Sequence, residues 1–147
     1  MGASIYNQKL CEFHLQGVRI FIPEQEINVG VRAVKPLPLI DMPGGEEFEP
    51  KRLVIQIEFF DEDNPDKDLG AVSDSARLEV RYMPEDVQNA GGEWQNLKLG
   101  YFLDGRWWRF TPEKHQFALY PDCSNPDYGV GVAYLHTWDD PPIGWDS

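Results

Sequence analysis

Apolar and polar residues alternate in short runs through most of this 147-residue chain, the two-residue periodicity of strands that bury one face. Val18 to Ile22 sets Val18, Ile20 and Ile22 on one side, and Ile27 to Val34 does the same with Ile27, Val29, Val31 and Ala33. Arg52 to Phe60 is the strongest run, with Leu53, Ile55, Ile57 and Phe59 on one face and Val54, Gln56, Glu58 and Phe60 on the other. Ser75 to Tyr82 turns Ala76, Leu78, Val80 and Tyr82 inward, and His115 to Tyr120 and Gly129 to Thr137 predict the last strands. Between Leu97 to Leu103 and Arg106 to Phe110 stands Asp104-Gly105, the pair that supplies the positive φ angles of a two-residue hairpin turn.

Breakers limit what else can form. Gly at 13 and Pro at 12 positions leave few windows in which a helix persists. One short helical turn is predicted over Met83 to Ala90, opened by Pro84, Glu85 and Asp86 and stopped by Gly91-Gly92. The segment 35–50 carries four prolines and Gly44-Gly45, too broken for a regular element and long for a structureless connection. Many short strands without alternating helices predict an all-β fold, an antiparallel two-sheet sandwich, immunoglobulin-like or jelly-roll-like, of about seven or eight strands. The chain reads as one domain with a Pro-rich excursion at 35–50 and an aromatic C-terminal tail at 138–147.

The order of motifs in the second half carries a resemblance. Leu78-Glu79-Val80-Arg81-Tyr82 is followed by Pro84-Glu85-Asp86-Val87, Gly91-Gly92, Leu97-Lys98-Leu99-Gly100-Tyr101 and Asp104-Gly105-Arg106-Trp107. From Ala76 to Thr137 this resembles the immunoglobulin-like β-sandwich modules of bacterial surface and multidomain proteins. Those modules commonly close on His-Phe-Ser, where this chain has His136-Thr137-Trp138. The resemblance implies a scaffold or interaction role and brings no catalytic residue with it.

Charge narrows the partners. Thirteen Lys plus Arg against 25 Asp plus Glu give a net charge of −12, which repels phosphate backbones, so no nucleic-acid partner is expected. No apolar run is long enough to cross a membrane as a helix, and the polar opening Met1 to Gln16 is not a secretory signal. The expectation is a cytoplasmic protein, or an extracellular one if the chain derives from a larger exported protein. Cys11 and Cys123 are expected as free thiols rather than a bridge, two cysteines being far below the density of a disulfide scaffold.

The hairpin defines one candidate surface. A two-residue turn pairs Phe102 with Trp107 and Tyr101 with Trp108, so Leu97, Leu99, Tyr101, Leu103, Trp108 and Phe110 are expected on the core side. The opposite face holds Lys98, Gly100, Phe102, Trp107, Arg109 and Thr111. Phe102 and Trp107 among Lys98 and Arg109 suit a protein partner or a sugar ring. Against that, monomers seldom leave such patches open, and either the tail, with Trp138, Ile143 and Trp145, or the segment from Pro36 to Pro50 can cover it.

Other chemistry is thinner. Asp61, Asp63, Asp66 and Asp68 offer oxygen ligands for Ca²⁺, but Pro65 and Lys67 break the EF-hand spacing, and a solvated turn is the stronger reading. A thiolate or zinc site assembled from Cys11, His14, Cys123, His115 and His136 has a single C-x-x-H behind it. No G-x-S-x-G, H-E-x-x-H or nucleotide-binding glycine loop occurs. No catalytic residue and no cofactor are assigned. The leading expectation is a non-enzymatic protein-interaction or scaffold domain, self-associating or bound to another protein through Phe102, Trp107 and the Pro-rich segment. Its alternative is a carbohydrate-binding module using Trp107, Trp138 or Trp145, supported by Ca²⁺.

Overall fold

The computed structural model describes residues 11–15, 17–22, 29–34, 38–45, 47–64, 66, 76–136 and 141–146. They form ten strands: β1 (Cys11–Leu15), β2 (Val18–Ile22), β3 (Val29–Val34), β4 (Pro50–Asp61), β5 (Ala76–Tyr82), β6 (Lys98–Leu103), β7 (Arg106–Arg109), β8 (Ala118–Pro121), β9 (Gly129–Leu135) and β10 (Pro142–Asp146). Two short helices, α1 (Pro84–Asn89) and α2 (Pro112–His115), join them. The strands build two five-stranded sheets, ordered β1-β2-β5-β9-β8 and β3-β4-β10-β6-β7, with antiparallel pairing throughout. The fold is the all-β two-sheet sandwich that the alternation predicts.

Between the sheets, Val18, Ile20 and Ile22 of β2, Leu78, Val80 and Tyr82 of β5 and Leu135 of β9 meet Ile55, Ile57 and Phe59 of β4, Leu99 of β6 and Ile143 of β10. Those of β2, β4, β5 and β6 are the residues their period-two patterns turn inward, because an alternating strand buries one face and wets the other. The hairpin also holds: Phe102 pairs with Trp107 and Tyr101 with Trp108, with Asp104 at φ 54° and Gly105 at φ 78° as the turn demands.

Three elements depart from the alternation, each for a tertiary reason. β10 lies mid-sheet between β4 and β6 and is buried along its whole length, so it has no wet face and no alternating pattern to read. Its ladder with β4 skips Val54: Ile143 pairs with Ile55 and Gly144 with Leu53. That bulge reverses the faces of β4 below it. Val54 then packs on the main core and Leu53 on the outer side, correcting the expectation that Leu53 shares the face of Ile55. Finally, His115 does not open a strand. It closes α2, Gln116 takes the left-handed conformation at φ 52°, and β8 begins at Ala118.

Trp145 bolts the sheets together. It is 1% exposed, donates its indole N–H to the Arg81 carbonyl at 3.1 Å and meets Tyr82 edge-on at 5.9 Å between centroids. A methyl group at Gly131 of β9 would stand 2.7 Å from its Cη2, so the glycine provides the space the ring crosses. At the adjoining end, Arg52 of β4 forks onto Asp86 of α1 with both N···O distances 2.7 Å, and the same carboxylate accepts the Met83 N–H at 2.9 Å.

Candidate functional site

The outer face of the β6–β7 hairpin is covered by residues 38–45 and 47–49. Met42 and Phe48 are buried there with Trp107. Phe48 stacks on Trp107 at 5.2 Å, and the Trp107 indole N–H donates to the Met42 carbonyl at 2.8 Å. The strap is pinned again where the Glu49 N–H donates to the Asp146 carboxylate of β10 at 2.9 Å. Phe48 also lies over Gly100, where a methyl group would stand 2.7 Å from its ring.

This corrects the surface expected from the sequence. Trp107 is 5% exposed and Trp145 lies in the core, so neither is available to a partner. Phe102 is half-buried against the same outer cluster. Trp138 lies outside the described residues. Lys98 and Arg109 do stand at the surface of the hairpin, on the wall of a depression.

That depression has a volume of about 580 Å³ and wraps the free edge of β7, with Tyr101, Trp108, Glu113 and His115 among its walls. A second hollow of about 470 Å³ between the strap and the hairpin turn shares Glu47 and Arg106 with it. A third, of about 420 Å³, shares Lys98 and Arg109 and continues to Asn89, Gln95 and Asn96. The three form one groove around the hairpin. Trp108, expected in the core, is 36% exposed here, because β7 is an edge strand and no described strand pairs beyond it. Its indole N–H donates to the Leu103 carbonyl at 3.0 Å, and the Arg106 guanidinium lies 3.9 Å over its ring. Guanidinium and indole make a flat wall at the groove's edge.

His115 forms the inner end. Its ring meets Phe110 edge-on at 5.1 Å, Tyr101 edge-on at 5.8 Å and His136 at 5.5 Å. Its Nδ1 accepts the Thr111 N–H at 3.0 Å, while the Thr111 hydroxyl accepts the Lys114 N–H at 3.1 Å as the helix cap. The histidine thus closes α2 instead of activating the hydroxyl, which stands 3.5 Å away. Burial, then the neighbouring His136 and Lys114, lowers its pKa from 6.5 to about 4.

A pH dependence follows with a fixed sign. The folded state holds His115 neutral down to about pH 4, whereas the unfolded chain takes up the proton near pH 6.5. Stability from this group is complete above about pH 6.5 and falls as the pH drops to about 4, by on the order of 2–3 kcal/mol. Urea midpoints for the wild type and for His115→Phe, measured from pH 7 to pH 4.5, are expected to diverge, with the wild type losing more. Parallel curves would show that the ring is solvated.

Among the described residues the remaining expected sites do not assemble, and Asp68 and the side chains of Cys11 and His14 lie outside them. Asp61 is buried and its carboxylate accepts the Asp63 N–H at 2.9 Å, which closes the turn after β4 instead of facing an ion. Among the described residues no group of three or more His, Cys, Asp or Glu side chains is placed to hold a metal. Cys123 is an exposed free thiol. Of the zinc set, only His115 and His136 meet among side chains the structure describes. No described helix is long and apolar enough to cross a membrane.

Sequence reasoning missed Glu47, Arg106, Trp108, Glu113 and Lys114 as groove residues. A local signal existed: Arg106 to Lys114 packs three cations and two tryptophans into nine positions beside an edge hairpin. Fold and groove together define a class, an antiparallel β-sandwich with a mixed-charge groove around one edge hairpin. No protein-family model, curated protein or solved structure matches this chain.

Proposed function

We propose that this domain is a non-catalytic carbohydrate-binding module that seats an oligosaccharide in the groove around β6 and β7. The observation that carries the reading is Trp108. Of the four described tryptophans it is the most exposed, and it stands in a groove whose far end is walled by the carboxamides of Asn89, Gln95 and Asn96. Sugar rings offer an apolar face to an aromatic wall and a rim of hydroxyls to amide and charged groups, the mixture lining this groove. The groove is open along its length, as a chain-like ligand requires. The protein-interaction role implied by the resemblance of Ala76 to Thr137 to immunoglobulin-like modules has less support, since Trp107, its intended anchor, lies beneath Phe48.

Glycan-array binding by the full chain is the direct test, with Trp108→Ala beside it. Removal of the indole is expected to weaken binding by about thirtyfold, the size of a central aromatic contact. Stability changes by less than about 1 kcal/mol, because the ring sits at an exposed edge. Chelating calcium leaves binding unchanged, Asp61 being turned into its own loop. An array with no bound glycan would sink the proposal, and so would full affinity in the alanine variant.

A further inference from the structure

The groove has a charge character that the whole chain does not. Arg19 and Arg77 pair with Glu79, Arg32 with Glu58, Lys51 with Glu49 and Arg52 with Asp86. Among the described residues, Arg81, Lys98, Arg106, Arg109 and Lys114 have no carboxylate partner, and all of these except Arg81 line the depression beside Trp108. On a protein of net charge −12, acidic side chains outnumber basic ones about two to one. Four cations left without them around a single hollow form a local positive site. The same wall holds Glu47 and Glu113, spaced among the cations instead of neutralising them.

Resting on the carbohydrate reading above, we propose that the groove selects acidic oligosaccharides, whose carboxylate or sulfate groups pair with Lys98, Arg106, Arg109 and Lys114 while the sugar rings lie along Trp108. Guanidinium groups take such anions through two parallel hydrogen bonds. The two glutamates then accept hydrogen bonds from sugar hydroxyls between the charged groups. A polyphosphate strand fits less well, because each successive unit brings a charge and no hydroxyl-rich stretch to face Glu47 and Glu113. The acidic remainder of the surface does not prevent local pairing, since at 0.15 M salt charges beyond about 8 Å are largely screened.

The test titrates the full chain by calorimetry with uronic-acid hexamers, a sulfated glucan oligomer, neutral glucan and xylan oligomers of equal length, and oligo-dT. At least one acidic sugar is expected to bind about tenfold or more tighter than the neutral oligomers, the worth of one charge-assisted hydrogen bond. Uronic and sulfated arms identify which anion is preferred. Arg109→Gln and Lys98→Gln each weaken acidic-sugar binding by about fivefold to tenfold and any neutral-sugar binding by a clearly smaller factor, and 0.5 M NaCl weakens the acidic-sugar binding further. Equal affinity for neutral oligomers, untouched by both variants, overturns the charge selection while the carbohydrate reading stands. Binding of oligo-dT in preference to every sugar overturns it in favour of single-stranded nucleic acid. No binding to any sugar removes both.

Discussion

Trp145→Ala is expected to destabilise the domain by about 3–5 kcal/mol, the range for deleting a large buried aromatic, and equilibrium urea unfolding measures it. The ring spans from β10 to Gly131 of the opposite sheet, so its removal opens a cavity between two layers instead of at an edge. It also strips the Arg81 carbonyl of its indole donor. The contact with Gly131 supplies an internal control. Gly131→Ala in the wild type forces a methyl group to 2.7 Å from Trp145, and overpacking of this kind costs about 1–3 kcal/mol. In the Trp145→Ala background only the Phe117 ring, 3.3 Å away, still meets the methyl, and most of the penalty disappears. A double-mutant cycle with no coupling energy would mean that the two residues do not share that space.

The second large effect is at Asp86. Its side chain is 1% exposed and accepts three hydrogen bonds, two from Arg52 and one from the Met83 N–H. Asp86→Ala leaves the guanidinium partly buried without its carboxylate and with only the Arg81 carbonyl at 3.4 Å, a loss expected at about 3–5 kcal/mol. The double variant Arg52→Met with Asp86→Leu is expected to recover part of that loss, because most of the penalty lies in stranding one charge and not in lacking the pair. Thermal unfolding of the two variants side by side decides it. If Asp86→Ala shifts stability by less than about 0.5 kcal/mol, the ordinary range for a surface change, the fork does not anchor α1 to β4.

The second effect depends on the bulge at Val54. Without it, strict alternation from Ile55 would set Arg52 on the outer face with Val54 and Gln56, away from Asp86. The skipped residue turns Arg52 to pair with Trp145, on the face from which Asp86 is within reach. A bulge arises where two ladders cannot stay in register, and the ladder that imposes this one belongs to β10, about ninety residues further along the chain.

The covered face of the hairpin follows the same logic. Register and turn type were legible from Asp104-Gly105, so the pairing of Phe102 with Trp107 could be written down in advance. Which of the two faces met solvent could not. Phe48 and Met42 reach Trp107 where residues 38–45 and 47–49 cross the outer side of the sheet, pinned to β10 at Asp146. Trp108 was assigned to the core by parity alone, and parity says nothing about where a sheet ends.

By itself, the sequence determined the secondary structure of the alternating segments, the inward residues of β2, β5 and most of β4, and the two-layer architecture. Each is a local consequence of period-two hydrophobicity punctuated by Gly and Pro. Only the tertiary structure decided the central place of β10, the burial of Trp107 and Trp145, and the gathering of Lys98, Arg106, Arg109 and Lys114 around Trp108. Those features depend on which strands become neighbours and which become edges, and strand order is fixed by contacts between residues far apart in the chain, which no local pattern records.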